Sequence, residues 1–164
     1  MMSKKLEDAI NEQIKNEFFS GYLYLSMAAQ SEEMNLPGVA HWFKVQAKEE
    51  QEHGMKFYDF INDRGGRVLL KAIEQPETEF KNVLDMFNKT LEHEKLVTSM
   101  INNLYEIALK EKDYPAQIML QWFIDEQVEE EKNASDIIAI LKMIGDKGHG
   151  LHMLDRDLGK REED

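Results

Sequence analysis

The sequence predicts an all-α fold, a four-helix bundle with one long crossover and a short fifth C-terminal helix, and three observations predict it. Long stretches carry apolar residues at alternating steps of three and four, and no period-2 alternation survives anywhere. Only three prolines and nine glycines are present, and apart from Gly21 and Gly54 they fall between those stretches rather than inside them. Two of the links between long stretches are short and one is long, and loop length decides which neighbours run antiparallel.

The first helix is expected over about 5–33 and stops before Pro37-Gly38. The second, about 38–64, is closed by Gly65-Gly66. From Gly65 to Phe80 the chain can extend roughly 50 Å at ~3.3 Å per residue, whereas a helix of about 27 residues is about 40 Å long. That connector can run back along the whole bundle. The third helix is expected over about 82–110 and the fourth over about 115–144, opened by Pro115 at a favourable first-turn position and ended by Gly145 to Gly150. LHMLDRDLGK supplies a fifth of two or three turns, about 150–160. Residues 1–164 are expected to form a single domain, a length sufficient for a sizeable core without disulfides.

Composition narrows the function. Asp and Glu number 32 against 20 Lys and Arg, a formal net charge of -12, with no basic run to track a phosphate backbone. Nucleic acid and membranes are therefore not expected partners; cations are. Cysteine is absent, so any metal must be held by carboxylate oxygen and imidazole, a donor set that suits iron or manganese. MMSKKLEDAINEQ lacks the apolar core of a signal peptide, and a cytoplasmic protein is expected.

The seams of the helices carry the chemistry. Steps of three and four trace Ile10, Ile14, Glu17, Gly21, Tyr24, Ala28 in the first helix and Val39, Phe43, Gln46, Glu50, His53, Phe57, Phe60 in the second. The third seam reads Leu84, Phe87, Leu91, Glu94, Thr98, Ile101, Tyr105, Ala108; the fourth reads Ala116, Leu120, Phe123, Gln127, Glu130, Ala134, Ile137, Leu141, Ile144. Each is interrupted by polar residues near its midpoint, and midpoints of antiparallel helices share one layer. Glu17, Glu50, His53, Glu94, Gln127 and Glu130 should converge there. Adding 77 to 17, 50 and 53 gives 94, 127 and 130, so the chain reads as a doubled hairpin. Any single glutamate is best read as a solvated face, but six polar residues in one interior layer are not. Four buried carboxylates cannot all stay ionised without cations, and a pair of divalent metals meets that cost.

Glu49, Glu126 and Glu129 flank this layer and, with Glu130, can make a further oxygen-rich cation site. Tyr24 lies one heptad after Glu17, close enough to hydrogen-bond a ligand or to donate an electron, though a satisfied core tyrosine explains it equally well. Trp42 and Trp122 read as packing or interface residues. His41, His93, His149 and His152 read as surface residues, and the ten methionines as filler.

With these residues placed, the sequence resembles the ferritins, specifically the haem-free bacterial ferritins, over essentially its whole length, including AHWFKVQAKEEQEHGMKF and QWFIDEQVEEE. The resemblance implies a ferritin-like subunit in a hollow 24-subunit homo-oligomeric shell. It implies a dinuclear ferroxidase centre that oxidises Fe(II) with O2 or H2O2 and deposits ferric oxyhydroxide. By the same likeness one iron is held by Glu17, Glu50 and His53, and the other by Glu50 as a bridge with Glu94 and Glu130. Gln127 takes the family's glutamine position beside the metals. The third iron site of bacterial ferritins falls on Glu49, Glu126, Glu129 and Glu130, and Tyr24 and Trp122 match aromatic positions thought to supply electrons. Bacterioferritins and rubrerythrins differ in having histidine where Glu130 stands, and the haem-ligating methionine of bacterioferritins aligns with Gln51, so no haem is expected.

Overall fold

The computed structural model describes residues 1–145 and 147–163. Five helices are present among them: α1 (Lys4–Glu33), α2 (Pro37–Asp63), α3 (Val83–Glu111), α4 (Tyr114–Ile144) and α5 (Gly148–Leu158). Side-chain caps set most of the N-termini by accepting from otherwise orphaned amides. Ser3 accepts from the Leu6 amide at 3.1 Å, Asn82 from Asp85 at 2.8 Å, and Asp113 from Ala116 at 3.1 Å. Asp113 is itself gripped by both guanidinium nitrogens of Arg64, at 2.8 and 2.9 Å, which ties the end of α2 to the start of α4.

Neither α5, with Lys147 at its N-cap, nor α2, whose own N-cap is Leu36, has such a side-chain bond, but α2 is capped from elsewhere. Its cap comes from the far end of the chain: Asp155 of α5 accepts from the Val39 amide at 2.8 Å. Gly38 permits this docking, since a Cβ there would lie 1.6 Å from the Asp155 carbonyl oxygen. Sequence-distant α5 is thus locked onto the first turn of α2.

The connector between α2 and α3 runs along α1. Asn11 receives the Leu69 amide at 2.7 Å and donates to the Arg67 carbonyl at 3.0 Å, and Gln30 exchanges two 2.7 Å bonds with the backbone of Phe80. Having passed from the start of α1 to its end, the chain begins α3 beside the start of α2. As a result α1 packs antiparallel to α2, α3 antiparallel to α4, and α2 and α3 run the same way, which is the single-crossover bundle.

Two apolar clusters fill the interior. One gathers Tyr24, Met27, Phe43, Phe87 and Leu141 toward the α5 end; the other gathers Ile10, Ile14, Phe57, Ile101, Leu120 and Phe123 toward the opposite end. The polar midpoints of the helices lie between them. The α3 seam differs from the expected one in half its members: Phe87, Glu94, Ile101 and Ala108 are buried as expected, but Leu84, Leu91, Thr98 and Tyr105 are only half-buried. Val83, Thr90, Val97 and Leu104 take the inward places. Both stripes lie one turn from the same central row, and only packing against α1 and α4 chooses between them.

Candidate metal centre

Six side chains from four helices meet in the layer between the two apolar clusters: Glu17, Glu50, His53, Glu94, Gln127 and Glu130 are all buried. α1 and α2 approach closely here because residue 21 is glycine; a Cβ on it would meet the Ala47 carbonyl oxygen at 3.0 Å. Two triads that could hold a metal ion result, Glu17–Glu50–His53 and Glu50–Glu94–Glu130, each with donor atoms mutually within 4.8 Å. Glu50 belongs to both. His53 Nδ1 faces inward, 3.5 Å from Glu50 Oε2 and 4.0 Å from Glu17 Oε2.

Hydrogen bonds orient these ligands without saturating them. Gln13 Nε2 donates to Glu17 Oε1 at 2.8 Å, one helical turn away. Gln46 Nε2 donates to Glu130 Oε2 at 2.7 Å and to Glu50 Oε1 at 3.2 Å. Glu94 accepts from the Tyr24 hydroxyl and, at 3.1 Å, from Gln127 Nε2, which also reaches the Glu94 carbonyl and Thr98 Oγ1. Glu17 Oε2 is a buried oxygen with no hydrogen-bond partner. An acceptor stripped of water and left unpaired is costly, and here it points to where a cation would sit.

Electrostatics agree. Burial pushes the Glu17 carboxyl well above the usual carboxylate range, and the charge of Glu50 adds to it. Glu50 is raised by burial and by Glu94 and Glu130, and Glu130 by burial, Glu94 and Glu49. Glu94 is raised by burial as well, with the Tyr24 and Gln127 hydrogen bonds pulling the other way. Tyr24 is held well above its usual range by burial and by Glu94, so its hydroxyl remains a donor. Without a cation the layer must retain protons.

Outside this layer lies a hollow of about 360 Å³ lined by Glu49, Glu52, His53, Lys56, Trp122, Glu126 and Glu129. Here His53 Nε2 lies 3.8 Å from Glu126 Oε1, and His53, Glu126 and Glu130 form a third possible ligand group. The histidine therefore faces two sites through its two nitrogens. Glu129, also expected here, is exposed and lines the hollow, while Glu49 is engaged by Arg161 at 2.7 Å. Trp122 stacks edge-on to His53 at 5.5 Å and lies under the Lys56 ammonium at 3.3 Å, whereas Trp42 is core, packed on Phe43 and Phe87.

Sequence reasoning missed Gln13, the orienting role of Gln46, and Arg161. For the glutamines a signal existed, since each lies four residues before a seam glutamate. Two of the surface histidines require correction. His93 is half-buried, with Nε2 2.7 Å from Ser20 Oγ and its ring against Phe19 and Tyr24; burial lowers its pKa to about 4. His41 is half-buried too, 2.7 Å from the Arg161 carbonyl.

Fold and layer together define a four-helix bundle with a buried, carboxylate-rich cluster of metal-ligating type. A ferritin-like domain model matches residues 7–144. The chain is 43% identical to a bacterial non-heme ferritin of Staphylococcus haemolyticus over all of this chain and 99% of that one. It is 41% identical to one from Staphylococcus aureus at the same coverage. Among solved structures, an open pore ferritin from the hyperthermophilic archaeon Archaeoglobus fulgidus superposes with a TM-score of 0.98 at 44% identity, covering 99% of this chain and 100% of that one. The chain belongs to the ferritin family.

Proposed function

We infer that the protein stores iron and oxidises it: a ferroxidase that takes up Fe(II) at a dinuclear site within each subunit and passes ferric oxyhydroxide into a closed homo-oligomeric shell of 24 copies. One observation carries the reading. Glu50 is shared by two buried ligand triads, beside an orphaned carboxylate oxygen on Glu17, an arrangement that is costly unless two cations occupy it. Glu17, Glu50 and His53 would receive one Fe(II), and Glu50, Glu94 and Glu130 the other. Each ion gives up one electron, and together they reduce O2 to the peroxide level; H2O2 is the alternative two-electron acceptor. Hard anionic oxygen favours Fe(III) over Fe(II), so this ligand set drives the oxidation. The raised carboxyls release protons as the cations enter. Gln127 and Gln46 keep the second triad aimed, and Tyr24, donating to Glu94, stands where it can supply a further electron.

Glu126, Glu129, Glu130, Glu49 and the outer nitrogen of His53 supply donors for a third iron position. Shell assembly is supported by apolar residues left exposed along α1 and the connector, among them Tyr22, Leu25, Leu70 and Ile73, and by the likeness to solved ferritins. The test is to isolate the protein by size, add Fe(II) without oxygen, then admit O2. A species of about 460 kDa, twenty-four times the 19.2 kDa chain, with fast oxidation of two irons per chain is expected. A stable monomer or dimer would overturn the shell, and unchanged oxidation in both Glu50→Ala and His53→Ala would overturn the site.

A further inference from the structure

The segment after α5 returns to α2 and reaches Glu49, one of the residues lining the outer hollow. Arg161 there is mostly buried, at 17% side-chain exposure. Its guanidinium donates to Glu49 Oε2 at 2.7 Å, to Gln46 Oε1 at 2.9 Å and to the Trp42 carbonyl at 3.3 Å, with its carbon 4.5 Å above the Trp42 ring. Its own carbonyl meets His41, and Lys48 pairs with Glu163 two residues on. Five residues of α2 thus hold one short segment in place.

The partners of Arg161 are the ones that matter for cations. Glu49 is a donor of the third iron position. Gln46 has only one way to satisfy its surroundings: its carbonyl must face Arg161 so that its amide can donate to Glu130 and Glu50. Arg161 therefore acts on the outer position directly through Glu49, and on Glu130 at one remove through Gln46, where it also lowers the carboxyl's tendency to protonate.

We propose that Arg161 is a tethered cation that competes with iron for Glu49, so that the outer position fills only when the guanidinium lets go. This rests on the iron-site reading above and adds a determinant to it. A permanently charged, planar donor on a carboxylate is a specific partner that a metal must displace. The competition orders the filling: the buried triads hold no Arg or Lys and fill first, whereas the outer donors become available after the segment is released. Linkage requires the reverse as well, namely that metal at the outer position loosens the segment.

The test uses the assembled protein and Zn(II), which binds carboxylate and imidazole without redox chemistry. Zinc titration by calorimetry should resolve two tight ions per chain and one weaker. In Arg161→Ala the weaker ion should bind about five-fold more tightly, the equivalent of ~1 kcal/mol for a partly exposed ion pair, with any change in the two tight ions, reached only through Gln46, smaller than that. Arg161→Lys should recover part of the difference. In the wild type, saturating zinc should speed hydrogen exchange of the peptide spanning 159–163. Unchanged or weaker outer binding in Arg161→Ala, or exchange indifferent to zinc, overturns the competitor role. A wild type that fails to bind the two tight ions overturns instead the iron-site reading, so the two failures are distinguishable.

Discussion

The two helix pairs solve the same placement with different chemistry. In the α1–α2 pair, positions 17, 50 and 53 are Glu, Glu and His; in the α3–α4 pair, the positions 77 further on are Glu, Gln and Glu. Where the first pair has the Glu50 carboxylate, the second has Gln127, an amide that donates to Glu94 at 3.1 Å. Every carboxylate of the second pair is fixed by neutral donors: Glu94 by Tyr24 and Gln127, Glu130 by Gln46. The first pair keeps one oxygen of Glu17 unpartnered and adds an imidazole. Both carboxylates of the first pair also accept from an amide, Glu17 from Gln13 and Glu50 from Gln46, but only Glu17 keeps a buried free oxygen, where a cation can be received without displacing a hydrogen bond. The first triad should therefore bind its ion more tightly than the second.

The largest effect comes from removing what the halves share. Glu50→Gln should reduce the rate of two-iron oxidation by more than about 100-fold, beyond the loss seen when only an outer partner of a ligand is removed. The same variant should raise the melting temperature of the metal-free protein, because one of four crowded carboxylates is gone. Stopped-flow oxidation and calorimetry read both, and a metal-free protein made less stable would count against the crowding.

Glu17→Gln and Glu94→Gln then separate the halves. In anaerobic Zn(II) titrations the first should abolish the tighter of the two buried ions and the second the weaker. The opposite assignment would invert the comparison. Gln127→Leu should act only on the second half, costing about ten-fold in affinity there, while the Glu17 triad is untouched.

Acidity supplies a test of the whole layer. Glu17, Glu50, Glu94 and Glu130 are all raised above the ordinary carboxyl value of 4.5, so the folded metal-free chain keeps protons that the unfolded chain has released. Their contribution to stability is complete below 4.5 and is lost as the pH rises through the raised values. The metal-free melting temperature should fall from pH 5 to pH 8, roughly, and saturating Zn(II) should flatten that slope, with protons released on binding in weakly buffered solution. No proton release would show the carboxylates to be ionised before the metal arrives. The smallest effect is expected for Tyr24→Phe, which removes one donor to Glu94: a two- to three-fold change, roughly, in the second half alone.

Much of this was legible because a helix repeats so simply. Steps of three and four placed Glu17, Glu50, His53, Glu94, Gln127 and Glu130 inward, and glycine and proline marked the links, since local backbone preference and periodicity are properties of neighbouring residues. The sequence by itself determined the helical class, the polar layer and the doubled arrangement of its residues. It was silent where two residues far apart in the chain meet. Which stripe of α3 turns inward depended on the helices packed against it, and His93 was drawn half inside by Ser20, Phe19 and Tyr24. Only the tertiary structure could bring Asp155 to cap α2, aim Gln46 at Glu130, or seat Arg161 on Glu49. Those contacts join residues 84 to 116 positions apart, and no local periodicity records them; they exist because the crossover and α5 close the bundle on itself.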